Sequence, residues 1–257
     1  LAGVYKSHPN NIIYLTKKFR LDTKDIGEIL SMIDPAVRQR YDYDNIQKLY
    51  TEYVADKVDD HTQIEQLKRL IEGKEVFVMV PGNSLNTYRQ EIDDYISKNH
   101  PIVISVNFVA EHPEIISFFG NAKRYSRLKE KRNGRKVIIS SNVKSDTDQD
   151  IVVNYHSLIN RGYKYFENST IMLLNLLKRV NPRKVTIAGF DGFSENVDKN
   201  YVDASYQNER HITEFKELND ELAKMFGEIV ETMSPGCRFD MITPSKFKAV
   251  INGNRNS

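Results

Sequence analysis

The sequence predicts an α/β fold, a mostly parallel sheet with helices on both faces, preceded by an all-helical segment. Three observations carry that expectation. Short continuous apolar runs at 76–80, 102–106 and 184–188 have the texture of strands buried on both faces. Stretches of helical period separate them, and strand alternating with helix favours parallel pairing and a Rossmann-like arrangement. The first 73 residues contain no strand signal and read as helical.

Taken in order, Ile12, Ile13, Leu15 and Phe19 share one helical face, and Asp22-Thr23 offers an N-cap for a helix carrying Ile26, Ile29, Leu30 and Ile33. Pro35 opens a short segment, and Asp44 precedes Ile46, Leu49, Tyr50 and Tyr53 at helical spacing. Thr62 is expected to cap a helix through Leu70, which Gly73 stops. Strand 76–80 then leads through the turn Pro81-Gly82-Asn83-Ser84 into a helix over 86–99 and a strand over 102–106. The pattern next predicts a short helix over 111–119, a short strand over 122–125, a strand over 136–140 and an outlying strand over 151–155. Ser169 opens an apolar helix over 171–180, followed by strand 184–188, a long loop, an amphipathic helix over 214–232 and a closing strand over 239–243. The expected organisation is a helical linker or subdomain at 1–73, a Rossmann-like domain at 74–250 and a disordered tail at 251–257.

Composition bounds the function classes. Of 257 residues, 40% are hydrophobic and 28% charged, with a formal charge of only +2, which argues against a general nucleic-acid binder. The single cysteine, Cys237, excludes an intrachain disulfide, and a reducing cytoplasm is the simplest compartment. No apolar run approaches the roughly 20 residues of a membrane-spanning helix. The chain opens on Leu1-Ala2-Gly3-Val4-Tyr5, which reads as the middle of a longer polypeptide.

In open α/β sheets ligands bind beyond the carboxyl ends of the strands, so the residues that follow each apolar run are the informative ones. Gly82 allows close backbone approach, and with Asn83 and Ser84 it opens a helix whose amides suit an anion; a plain capped turn is the competing reading. Asn107 either contacts a base or ribose or orders its own loop. Ser169 and Thr170 either contact a ligand or cap their helix. Asp191, in Gly-Phe-Asp-Gly, either meets a sugar hydroxyl or holds its loop. No histidine pair has metal-ligand spacing, so no zinc site is expected. His156 and His211 lie in polar stretches near the expected mouth, where either a general base or a surface residue fits. The stretch 123–135 carries Lys123, Arg124, Arg127, Lys129, Lys131, Arg132 and Arg135 against Glu130, either a solvated loop or an attractor for an acidic ligand.

Two resemblances follow. The opening Leu1-Ala2-Gly3-Val4-Tyr5-Lys6-Ser7-His8-Pro9-Asn10, with the helices to Tyr53, resembles the segment that follows the barrel in bacterial aldolases of the HMG-CoA lyase and 4-hydroxy-2-oxovalerate aldolase type. It implies that the aldolase barrel, with its metal and its chemistry, would be a partner preceding this chain. The second runs from 76 to 247: Val-Pro-Gly-Asn-Ser-Leu at 80–85, Ser-Val-Asn-Phe at 105–108, Asn-Ser-Thr at 168–170 and Ala-Gly-Phe-Asp-Gly at 188–192 are similar in order to bacterial sialyltransferases of family 42. It implies a CMP-sugar pocket formed by Gly82, Asn83, Ser84, Asn107, Ser169, Thr170 and Asp191, with His211 as the base. The first turn here lacks the second glycine usual in that family.

The leading expectation is therefore the C-terminal part of a bifunctional aldolase-type protein. Its α/β domain would bind a nucleotide-activated, CMP-linked sugar as substrate and transfer it to a glycan acceptor in surface-polysaccharide synthesis, with no tightly bound cofactor and no metal. The alternative is a non-catalytic nucleotide-binding or assembly module of an aldolase-like lyase. A homo-oligomer is compatible with either, and a nicotinamide enzyme is disfavoured because the dinucleotide glycine fingerprint is missing.

Overall fold

Seven parallel strands form one sheet in the order β5-β4-β3-β2-β1-β6-β7. The computed structural model describes residues 58–132, 134–160, 162–196, 200–203, 206 and 212–253; the helices expected before residue 58, His211 and the last four residues lie outside them. The strands are β1 Glu75–Met79, β2 Ile102–Val106, β3 Ile116–Phe119, β4 Val137–Ser140, β5 Ile151–Val153, β6 Lys184–Ala188 and β7 Arg238–Met241. The main helices are α1 His61–Ile71, α2 Ser84–Thr87, α3 Arg89–Asn99, α4 Ala122–Tyr125, α5 Ser169–Val180, α6 Ile212–Thr232 and α7 Lys248–Gly253.

Alternation along each strand sends side chains to two covered faces. Val76, Val78, Ile104, Phe118, Val185 and Ile187 pack on one face with Leu67 and Ile71 of α1, Leu173 and Leu177 of α5, and Leu222 and Phe226 of α6. The opposite face is covered in two patches: Phe77 and Ala188 meet Leu85 and Ile92, while Phe119, Val137 and Ile139 meet Tyr125 and Leu128. The chain leaves β1 toward β2 but leaves β6 toward β7, so direction reverses between two neighbouring strands. That reversal is where an open α/β sheet forms its ligand crevice.

Several expectations are corrected. The segment expected as a helix over 111–119 contains β3, whose four residues are all buried. Its Ile-Ser-Phe-Phe run suits a strand as well as a helix, and neighbours decided it: Ser117 Oγ meets Ser105 Oγ of β2 at 3.1 Å inside the sheet. Conversely 122–125, expected as a strand, is a single helical turn, because Asn121 accepts from the Arg124 N–H at 3.2 Å and caps it. The helix expected over 86–99 is broken at Tyr88 into α2 and α3. Helix α1 starts after Asp60 rather than Thr62.

The expected boundary at 73/74 falls inside a packed unit, since Ile64, Leu67 and Ile71 belong to the main core. Asp60 fastens this helix to the domain: it accepts from Arg179 Nη1 and Nη2 at 2.6 and 2.7 Å and from the Asn154 N–H at 2.8 Å. Residues 251–253, expected in the tail, belong to α7, and Ile251 is buried. Among the described residues no helix is long and apolar enough to cross a membrane.

Candidate functional site

A cleft of about 470 Å³ opens over the carboxyl ends of the strands. Five of the sequence-derived residues line it, Gly82, Asn107, Ser169, Thr170 and Asp191, although they come from four separate segments of the chain. Asn83 and Ser84 follow Gly82 without being part of the lining, and His211 is outside the described residues.

Asn107 is the hinge of the cleft floor. It sits just past β2 with φ +57°, a left-handed conformation that asparagine tolerates better than most residues. Its N–H donates to the Phe118 carbonyl at 2.8 Å, and its Oδ1 accepts the Gly120 N–H at 3.1 Å. Its Nδ2 donates to Ser169 Oγ at 2.7 Å, which ties β2, β3 and the start of α5 together. Ser169 therefore receives a hydrogen bond and keeps its own proton to give. Gly120 makes this convergence possible, because a Cβ there would stand 2.9 Å from Ser169 Oγ and 3.1 Å from Met172 Sδ.

The α5 N-terminus faces the cleft. Asn168 caps it, accepting from the Thr170 and Ile171 N–H groups at 3.0 and 3.3 Å. No acidic residue occupies the first turn, so the positive end of a 12-residue helix is unneutralised by its own side chains. Thr170 is only 4% exposed, and its hydroxyl makes no hydrogen bond among the described residues although the residue lines the cleft. Hydroxyls, an amide and a helix start together suit an anionic oxygen.

The β1–β6 crevice is built differently. Val80 N–H donates to the Ala188 carbonyl at 2.9 Å and Gly82 N–H to the Gly189 carbonyl at 3.1 Å, zipping the two strand ends together. Gly189, at φ +78°, and Gly82 are both needed for this approach: a Cβ on Gly82 would stand 2.7 Å from Asp191 Cγ. Ser84 gives both its N–H, at 2.8 Å, and its hydroxyl to the Asp191 carboxylate. Burial pushes the Asp191 carboxyl above its ordinary value, and those two donors draw it only part of the way back. The Ser84 donors thus already serve a carboxylate, and the unshared donors lie at α5.

The basic stretch divides by role. Arg132 bonds Asp150 at 2.6 Å and Asp146 at 2.8 Å, and Arg135 donates to the Ala110, His112 and Ile115 carbonyls at 2.8–3.2 Å, so both are structural. Lys123 and Arg124 instead line the cleft. Among the described residues no cluster of His, Cys, Asp or Glu could hold a metal ion.

Gly120, Arg124 and Tyr206 are lining residues that the reading of strand ends did not single out as a site. Gly120 directly follows β3, so a correct strand assignment would have flagged it. Tyr206 lies far along a polar loop, and no local signal marks it. Compared with known proteins, the chain matches no protein-family model and no curated protein.

Proposed function

We propose that this domain binds a nucleotide-activated sugar, a CMP-linked acidic sugar, and transfers it to a glycan acceptor in surface-polysaccharide synthesis. The chain would be the C-terminal part of a bifunctional protein whose aldolase-type barrel precedes it. The observation that carries the reading is the convergence of Gly82, Asn107, Ser169, Thr170 and Asp191 on one cleft at the reversal of the sheet. A negatively charged group of the donor would take the hydroxyls of Ser169 and Thr170 and the positive end of α5, with Asn107 holding Ser169 in place.

In the transfer, an acceptor hydroxyl oxygen bonds to the anomeric carbon while the bond from that carbon to the phosphate oxygen breaks. CMP leaves with the electron pair, and the hydroxyl proton passes to His211 as general base. Donors at the α5 start would stabilise the charge that grows on the leaving phosphate.

The test is release of CMP from a CMP-linked acidic sugar in the presence of a mixed oligosaccharide acceptor. Enzyme-dependent release that falls at least about 100-fold in His211→Ala supports the reading, in line with the usual worth of a general base. Binding without release at any rate above the uncatalysed one would instead favour a non-catalytic nucleotide-binding module.

A further inference from the structure

We propose that Phe193, with Tyr201 and Leu218, forms the seat on which the planar base of the nucleotide stacks. The seat presupposes the nucleotide reading above and fixes which end of the cleft holds the base. All three residues line the cleft; Phe193 and Tyr201 are half-buried and Leu218 is buried. The Phe193 ring lies nearly parallel to that of Phe215, at 6° with centroids 5.8 Å apart, and meets Tyr201 edge to face at 6.0 Å and 69°. Parallel rings at that separation are offset, so part of the Phe193 face extends beyond its buried neighbour. One side of α6 supplies the support, because Phe215, Leu218 and Asn219 are spaced i, i+3 and i+4.

The backbone that carries Phe193 belongs to no helix or strand, yet side chains hold it firmly. Asn219 Oδ1 accepts the Phe193 N–H at 2.8 Å and Asn219 Nδ2 donates to the Phe193 carbonyl at 2.8 Å, as a neighbouring strand would. Asn200 does the same one residue on, accepting the Ser194 N–H at 2.8 Å and donating to the Ser194 carbonyl at 2.9 Å. Lys246 Nζ also donates to the Phe193 carbonyl. Gly192, at φ +83°, admits this packing, since a Cβ there would stand 3.0 Å from Lys246 Cδ and 3.1 Å from Asn219 Oδ1. Two amide clamps on consecutive residues keep the ring in the cleft wall. A half-exposed ring fixed in this way loses little freedom when a ligand arrives, which favours binding.

The seat lies at the other end of the cleft from the α5 donors. In the sheet order β3-β2-β1-β6, Asn107 holds Ser169 over the ends of β2 and β3, whereas Phe193 follows β6. Neighbouring strands lie about 4.8 Å apart, so the ends of β2 and β6 are separated by about 10 Å. That span suits a nucleoside monophosphate with its phosphate at α5 and its base at Phe193. The cleft volume of about 470 Å³ is also that of a small-molecule site. Every base has a π-face, so the seat holds the ring without choosing among bases.

The experiment compares CMP, AMP and ribose 5-phosphate, which keeps sugar and phosphate but lacks the base, by calorimetric titration. CMP should bind at least about 5-fold more tightly than ribose 5-phosphate, in line with the worth of one stacked base. Phe193→Leu, which keeps apolar bulk and removes the aromatic face, should erase most of that difference and leave ribose 5-phosphate affinity unchanged. Phe193→Tyr should retain it. The chain has no tryptophan, so Phe193→Trp introduces a single indole, whose emission should be quenched by CMP and not by ribose 5-phosphate. The indole reports even where thermal unfolding shows that Phe193→Leu has lost its fold. CMP no tighter than ribose 5-phosphate, a difference that Phe193→Leu leaves intact, or an indole indifferent to CMP overturns the proposal. The two ideas fail separately: CMP binding unaffected by Phe193→Leu removes the base seat alone, and Phe193-dependent AMP binding without CMP binding removes the cytidine reading alone. Silence toward all three ligands removes both.

Discussion

Gly82→Ala tests the zipped ends of β1 and β6 directly. The added methyl would stand 2.7 Å from Asp191 Cγ and Oδ2, and closer still to the Gly189 carbonyl oxygen. Carbon atoms pack at about 3.5–4.0 Å, so roughly 1 Å of overlap must be relieved. Neither neighbour gives easily, because one is backbone already bonded to Gly82 and the other is held by both donors of Ser84. Overpacking costs about 1–3 kcal/mol, and losing a hydrogen bond to a charged group costs about 1.5 kcal/mol more, which makes the loss about 3–4 kcal/mol. For a domain of this size each kcal/mol lowers Tm by about 2–4 °C, so calorimetric unfolding should show a fall of about 10 °C. Gly227→Ala within α6 is the control of opposite sign. Its methyl meets Val250 Cγ1 at an ordinary 3.6 Å, and replacing a helical glycine should stabilise by about 0.5–1 kcal/mol. A Gly82→Ala protein melting within about 2 °C of the parent would refute the steric reasoning.

Two further changes probe charge. Arg179→Ala leaves the Asp60 carboxylate, 7% exposed, with only the Asn154 N–H among the donors that faced it from other segments. Because the Arg179 side chain is 29% exposed, the cost should lie between that of a surface and a buried pair, about 2 kcal/mol by urea unfolding at neutral pH. Burial pushes Asp60 up, but the Arg179 bonds, the Asn154 N–H and the Arg179 charge outweigh it and leave the carboxyl below 3.8. The pair's stabilisation is therefore present above the ordinary carboxylate value and lost as pH falls through the lowered one, and an Arg179→Ala deficit that grew in acid would contradict this. Asp191 has the opposite sign. Its raised carboxyl keeps a proton in the folded state that the unfolded chain has released, so stability is full below the ordinary value and is lost as pH rises through the raised one. Compared with Asp191→Asn, whose amide can still bond Ser84, the parent should lose ground as pH rises from the ordinary carboxylate value through the raised one; a gap moving the other way would show that Ser84 outweighs burial.

Much of the architecture is legible because most of the buried parallel strands leave short apolar runs bounded by turn residues. The runs at β1, β2, β4 and β6 are mostly apolar, largely buried on both faces and four or five residues long, a length that suits a strand better than a helix. β3 was misread because four residues, Ile-Ser-Phe-Phe, do not reveal a period, and its identity comes from pairing with β2 and β4. α1 read as a linker because its contacts, Leu67 and Ile71 against α5 and the sheet, lie far ahead in sequence. At the site, reading strand ends found Asn107 and Asp191, but it could not tell a ligand contact from an internal one. Gly82 approaches Gly189 closely, and Ser84 gives its donors to Asp191, pairings across 107 residues that no local pattern encodes. The basic stretch likewise read as one feature, whereas Asp146 and Asp150 claim Arg132 and three carbonyls claim Arg135.

Calorimetric titration with CMP, CDP, UDP, GDP and NAD tests whether the cleft holds the nucleotide of an activated sugar. The expected result is saturable binding of CMP in preference to the others, abolished in Asn107→Ala, which unties Ser169 from the cleft floor, and weakened in Thr170→Val, which keeps the side chain's shape and removes its hydroxyl. Silence across the panel, or CMP binding indifferent to both changes, would contradict it and leave the domain as an assembly module.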